Sequence, residues 1–165
     1  MKNEYYITRQ MQDDLIKAYN KVAPLSWTQK EAYEKAVKLP APRYYITPKQ
    51  ALQVLSPMVK GNFEMVNMML PNRKRMYYSL LEKVFELSEK RAFAGKSLSY
   101  IVQFAVASPA PEFFVSSEKL HRIRWLIKSG QLDEEGREHH PGKIVNYERL
   151  KQRRAKLREY RAQFL

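Results

Sequence analysis

Cysteine is absent from all 165 residues, which excludes disulfides and thiolate metal sites and leaves nothing pointing to an oxidising compartment. Glycine is scarce too, with five in the chain and none in a Gly-rich loop that could cradle a phosphate. No run approaches the roughly 18 apolar residues of a membrane span, and Met1-Lys2-Asn3-Glu4 has no apolar signal region. The three histidines include no pair at helical metal-site spacing, and without cysteine there is no thiol nucleophile. His139-His140 beside Glu138 comes nearest to a metal site, but the following Pro141-Gly142 favours a solvated loop. His121 lies between basic residues and reads as a surface residue. The expectation is a non-enzymatic protein with no cofactor and no metal.

What is present is internal similarity. Tyr5-Tyr6-Ile7-Thr8, Tyr44-Tyr45-Ile46-Thr47 and Phe113-Phe114-Val115-Ser116 each join two aromatics, a β-branched residue and a hydroxyl residue ahead of a helical pattern. The last two follow Pro40-Ala41-Pro42 and Pro109-Ala110-Pro111. Proline fixes φ and pushes its predecessor out of the helical region, so each tripeptide predicts an extended approach. The aromatics and β-branched residue continue that path, and Thr8, Thr47 and Ser116 then stand at N-cap positions. Thr47 has Pro48 and Gln50 after it, completing a capping box. Leu15 and Tyr19, Val54 and Met58, Ile123 and Ile127 fall on the inner face of the three helices, while Gly61 and Gly130 mark the ends of the second and third. Pro57 predicts a kink or early end in the second.

Capping signals at Ser26-Trp27-Thr28 predict a helix to about Leu39, and Ser97 begins its counterpart to about Ala107. A longer helix is expected over 72–91, with Met76, Leu80, Leu81, Val84 and Leu87 buried. A last helix is expected from Asn146, with Tyr147, Leu150, Leu157, Tyr160 and Phe164 as its apolar positions. The predicted class is mainly α: a compact single domain, 1–142, with a repeated helix–extended aromatic segment–helix unit, followed by a basic C-terminal helix, 143–165. Sheet should be limited to short pairings among the aromatic segments. At 44% hydrophobic content the chain can bury one sizeable core.

Charge is the second signal. Thirty basic and seventeen acidic residues give a net charge of +13. Residues 143–165 carry eight basic residues against Glu148 and Glu159, a net of +6, whereas residues 131–142 are net −3. Arg73, Lys74 and Arg75 open the long middle helix, where the macrodipole disfavours cations, so an anionic partner is the better explanation of their position. The C-terminal set is Arg149, Lys151, Arg153, Arg154, Lys156, Arg158 and Arg161, with Lys143 just upstream. Its arginine bias suits bidentate phosphate contact.

Bland readings compete with each signal. Aromatics tied to helix caps are more simply core packing than stacking platforms for bases. The basic helix could be a solvated face with its apolar stripe docked on the domain. A membrane-surface helix is disfavoured because the stripe is narrow and contains tyrosines.

Pro-Ala-Pro-Arg-Tyr-Tyr-Ile-Thr-Pro and Ser-Pro-Ala-Pro-Glu-Phe-Phe-Val-Ser, within 28–61 and 97–130, resemble a group of small basic proteins of phages and mobile elements of gut Bacteroidetes. The resemblance implies a setting, a bacterial cytoplasm or a virion, and carries over no functional residues. Two functions are therefore expected. One is a nucleic-acid-binding protein making phosphate contacts through the ten cations 73–75, 149, 151, 153, 154, 156, 158 and 161. The other is a structural or adaptor component whose basic helix docks on an acidic protein partner or on another copy in a homo-oligomer.

Overall fold

The computed structural model describes residues 2–132 and, further on, 151–156, 158, 159 and 162; side chains are described from Tyr6 onward. Seven α-helices form the body: α1 Lys2–Val22, α2 Gln29–Lys38, α3 Pro48–Val59, α4 Glu64–Asn67, α5 Pro71–Ser88, α6 Leu98–Ala107 and α7 Ser117–Lys128. Short 3₁₀ turns, Ala23–Leu25 and Arg91–Phe93, join α1 to α2 and α5 to α6. No strand occurs among the described residues.

Helix starts follow local chemistry. The hydroxyls of Thr28, Thr47, Ser97 and Ser116 accept from the amides of Glu31, Gln50, Tyr100 and Lys119, each cap contributing about 1 kcal/mol. Thr47 and Gln50 form the full capping box, with Pro48 opening α3. Ser26 is not a cap; its hydroxyl donates to the Val22 carbonyl. At the other end, Gly61 (φ 87°) and Gly130 (φ 67°) adopt the left-handed conformation. The next amides, of Asn62 and Gln131, reach back to Pro57 and Leu126, closing both helices in the Schellman manner. Pro57 lies in the last turns of α3, so the helix ends two residues beyond it.

The first tetrapeptide departs from expectation. Tyr5 to Thr8 lies inside α1, so Thr8 is an interior residue of the helix and not its N-cap. No proline precedes it to hold the backbone extended, so the segment joins the helix, with Ile7 buried on the same stripe as Leu15, Ala18 and Tyr19 and Tyr6 exposed. The middle helix ends at Ser88, not Arg91, and Tyr77 rather than Met76 is fully buried in it. Ile127, expected inside, is 41% exposed on the last turn of α7.

Packing is reciprocal. α1 packs on α2 and α7, as α5 packs on α6 and α3, while α2 packs on α7 and α3 on α6. Between the bundles the two Pro-Ala-Pro segments meet. Ala41 and Ala110 exchange backbone hydrogen bonds of 3.0 and 2.9 Å, an isolated antiparallel bridge. The pairing thus joins the tripeptides and not the aromatic segments. The Tyr44 amide donates to the Val106 carbonyl at 3.0 Å, and the Phe113 amide to that of Val37 at 3.2 Å. Rings pair crosswise, Tyr44 with Phe114 at 6.2 Å and Tyr45 with Phe113 at 5.9 Å. One hydrophobic core runs through all of this, including Leu15, Leu55, Tyr77, Leu80, Val102 and Leu120.

Candidate nucleic-acid interface

The aromatic segments are not fully extended. Ile46 donates to the Tyr44 carbonyl, a three-residue turn at Tyr45, and Phe114 has φ +54°, the only non-glycine with positive φ among the described residues. A bulky residue there costs about 1–3 kcal/mol, offset here by packing against Tyr44 and by the Arg75 guanidinium 5.9 Å above its ring. In each pair the first ring is buried, Tyr44 and Phe113, and the second is half-buried. The Tyr44 hydroxyl bonds Ser79 Oγ at 2.7 Å, and the Tyr45 hydroxyl donates to Asp14 Oδ2 at 2.6 Å. Burial raises both phenols above the usual tyrosine range, and the Asp14 carboxylate raises Tyr45 further.

The half-buried rings border a central groove of about 620 Å³. Its other walls are Met11 of α1 and the segment from Leu70 to Met76 that begins α5. Three cations line it, Arg43, Arg73 and Lys119, against one acid, Glu112. Glu112 is already engaged: Lys38 donates to it at 3.1 Å, and Arg75 forms an ion pair at 2.7 Å outside hydrogen-bond alignment. Arg43 spends its Nε and one Nη on the carbonyls of Tyr44 and Ile46. Arg73 and Lys119 are both exposed. Desolvation at the groove wall pushes the Lys119 ammonium below the usual lysine range.

The Arg73-Lys74-Arg75 cluster is therefore divided. Arg75 is paired with Glu112 and donates to Asn72 Oδ1 at 2.6 Å. Arg73 faces the central groove and Lys74 a neighbouring one beside Tyr78. Arg124 is also used internally, donating to the Tyr33 hydroxyl at 3.0 Å and lying 4.5 Å over the Tyr19 ring. Residues 151–156 are helical and all six are exposed, among them Lys151, Arg153, Arg154 and Lys156; Arg158 is exposed as well. Arg149, Arg161, the acidic stretch 133–138, His139-His140, the 142/143 boundary and the apolar positions Tyr147, Leu150, Leu157, Tyr160 and Phe164 lie outside the described residues.

The groove cations Arg43 and Lys119 were not singled out from sequence. For Lys119 a signal existed. It occupies the third position of a Ser-capped helix, where Gln50 closes the box in α3, and a cation in a first turn opposes the macrodipole. Among the described residues no cluster of His, Asp or Glu could hold a metal ion, and no helix is long and apolar enough to cross a membrane. No protein-family model, curated protein or solved structure matches the chain.

Proposed function

We propose that the chain is a non-enzymatic nucleic-acid-binding protein that holds phosphates mainly through its basic C-terminal segment, with the helical body as scaffold. One observation carries this reading: residues 151–156 are helical, exposed at every position, and include four cations and no acid. A merely solvated face would ordinarily intersperse acids among its cations. The net charge of +13 supplies the long-range field that draws a polyanion. In the same proposal the body is one helix–aromatic segment–helix unit used twice, supported by the reciprocal hydrogen bonds at Ala41 and Ala110. Association with a phage or mobile element rests on the motif resemblance alone.

The adaptor reading has its own support. Phe93, Tyr100 and Phe104 form a ring cluster with centroids 5.1–6.1 Å apart, and Tyr100 and Phe104 stay 39% and 46% exposed. Such a patch suits a protein partner. Titration with duplex DNA at two salt concentrations separates the readings. Several phosphate contacts predict an affinity loss of about 10³-fold between 50 and 200 mM salt. Undetectable DNA binding at low salt, with a defined oligomer by mass, would establish the adaptor instead.

A further inference from the structure

The central groove combines two properties that the scaffold does not use. Its apolar wall comprises Met11, Leu70 and Met76 and the half-buried rings of Tyr45 and Phe114. Its cations exceed its acids, because Glu112 is matched by Lys38 and Arg75 outside the groove's own balance, leaving Arg73 and Lys119 available. A volume of about 620 Å³ lies in the range of small-molecule sites. An apolar wall beside uncompensated arginine and lysine suits a ligand with a flat, weakly polar body and an attached anion. Arginine favours an oxyanion that accepts a planar fork of donors, which phosphate does.

We infer that this groove binds a nucleoside phosphate, with Arg73 and Lys119 on the phosphate and the base and sugar against the Leu70, Met76 and Tyr45 wall. The ligand is either a free nucleotide or an unpaired nucleotide of a single strand; both offer the same chemistry. The inference rests on and deepens the nucleic-acid reading by adding a site for unpaired nucleotides, built from residues other than the tail cations.

The test uses the full chain and calorimetric titration with AMP, adenosine, inorganic phosphate and a 5′-phosphorylated adenosine dinucleotide. AMP should bind more tightly than adenosine or phosphate, since it alone engages both halves of the groove. The double variant Arg73→Ala/Lys119→Ala should weaken AMP by on the order of tenfold or more, because two charge-assisted hydrogen bonds to the phosphate are removed. Leu70→Asp supplies an independent check. Aspartate is a favoured residue at the N-cap position Leu70 holds in α5, so the helix is kept while a carboxylate enters the groove wall. It too should weaken AMP. A dinucleotide tighter than AMP assigns the site to strands, and equal affinity assigns it to free nucleotides. Absent AMP binding, equal binding of AMP and phosphate, or unchanged AMP affinity in both variants would overturn the inference. The Arg153→Glu/Arg154→Glu/Arg158→Glu variant keeps the two claims apart. Retained AMP affinity there locates the site in the groove, whereas its loss moves the site to the tail and refutes the groove. AMP binding without duplex binding would refute the phosphate-backbone function and leave the groove standing.

Discussion

Ala41 and Ala110 hold each other by two backbone hydrogen bonds, amide to carbonyl in both directions, at 3.0 and 2.9 Å. Each alanine is 2% exposed and lies between two prolines that donate nothing. The tripeptide therefore has a single amide to place, and burial requires that it be paired. Small side chains let the two backbones approach. The bridge fixes how the aromatic pairs cross, and so which ring of each pair is buried and which stays half-buried.

Ring position sets the ranking of truncations. Tyr44→Ala and Phe113→Ala should each cost about 3–5 kcal/mol, as fully buried aromatics do. Tyr45→Ala and Phe114→Ala, half-buried, should cost less, with Phe114→Ala sparing no backbone strain because φ stays positive. Urea unfolding of the four variants checks the order. Equal losses within each pair would mean that burial does not distinguish the rings.

Two buried phenols should respond in opposite ways to loss of the hydroxyl. Tyr77 is fully buried and its hydroxyl has no hydrogen-bond partner. Tyr77→Phe removes an unsatisfied group and should be neutral or stabilising by about 1 kcal/mol. Tyr44→Phe breaks the bond to Ser79 and should destabilise by about 0.5–1.5 kcal/mol. Thermal midpoints on either side of the parent would agree with this; a shared direction would not.

Alkaline pH should unfold the protein earlier than ionisation of exposed tyrosines would. Tyr44 and Tyr45 titrate above the usual value when folded, so the folded state holds their protons more tightly than the unfolded chain does. Their contribution is complete below about pH 10, the unfolded tyrosine value, and declines as pH rises past it. Tyr45→Phe should flatten the loss of stability above about pH 10. Denaturant midpoints measured across that range test it, and an unchanged slope would exclude Tyr45 as a contributor.

For the tail, reversing Arg153, Arg154 and Arg158 to Glu changes two charges at each position and lowers the net charge from +13 to +7. Helix propensity is nearly unaffected. DNA affinity at near-physiological salt should fall by at least about tenfold and its salt slope should become shallower, by roughly one for each phosphate no longer neutralised. The unfolding midpoint should stay within a degree or two. Anisotropy with labelled duplex measures this, and full affinity in the variant would move phosphate binding onto the body, where Arg73, Lys74 and Lys119 are among the candidate cations.

What the sequence determined by itself is the set of helix boundaries built from chemistry a few residues across. Thr28, Thr47, Ser97 and Ser116 each cap an amide three residues on, and Gly61 and Gly130 each supply a positive φ that L residues avoid. Those interactions close inside the local chain, so position in sequence suffices to read them. Tyr5 to Thr8 shows where such reading fails. The same four residue types become helix when no proline precedes them and a continuous apolar stripe can be buried. Tertiary structure alone decided the rest. Whether Tyr44 or Tyr45 is inside, why Phe114 accepts a positive φ, and which of Arg73, Lys74 and Arg75 is free all depend on partners far along the chain. Glu112 pairs with Arg75 and Lys38, and Tyr33 with Tyr19 holds Arg124. Charge is visible in a sequence, but its availability is settled by what packs beside it.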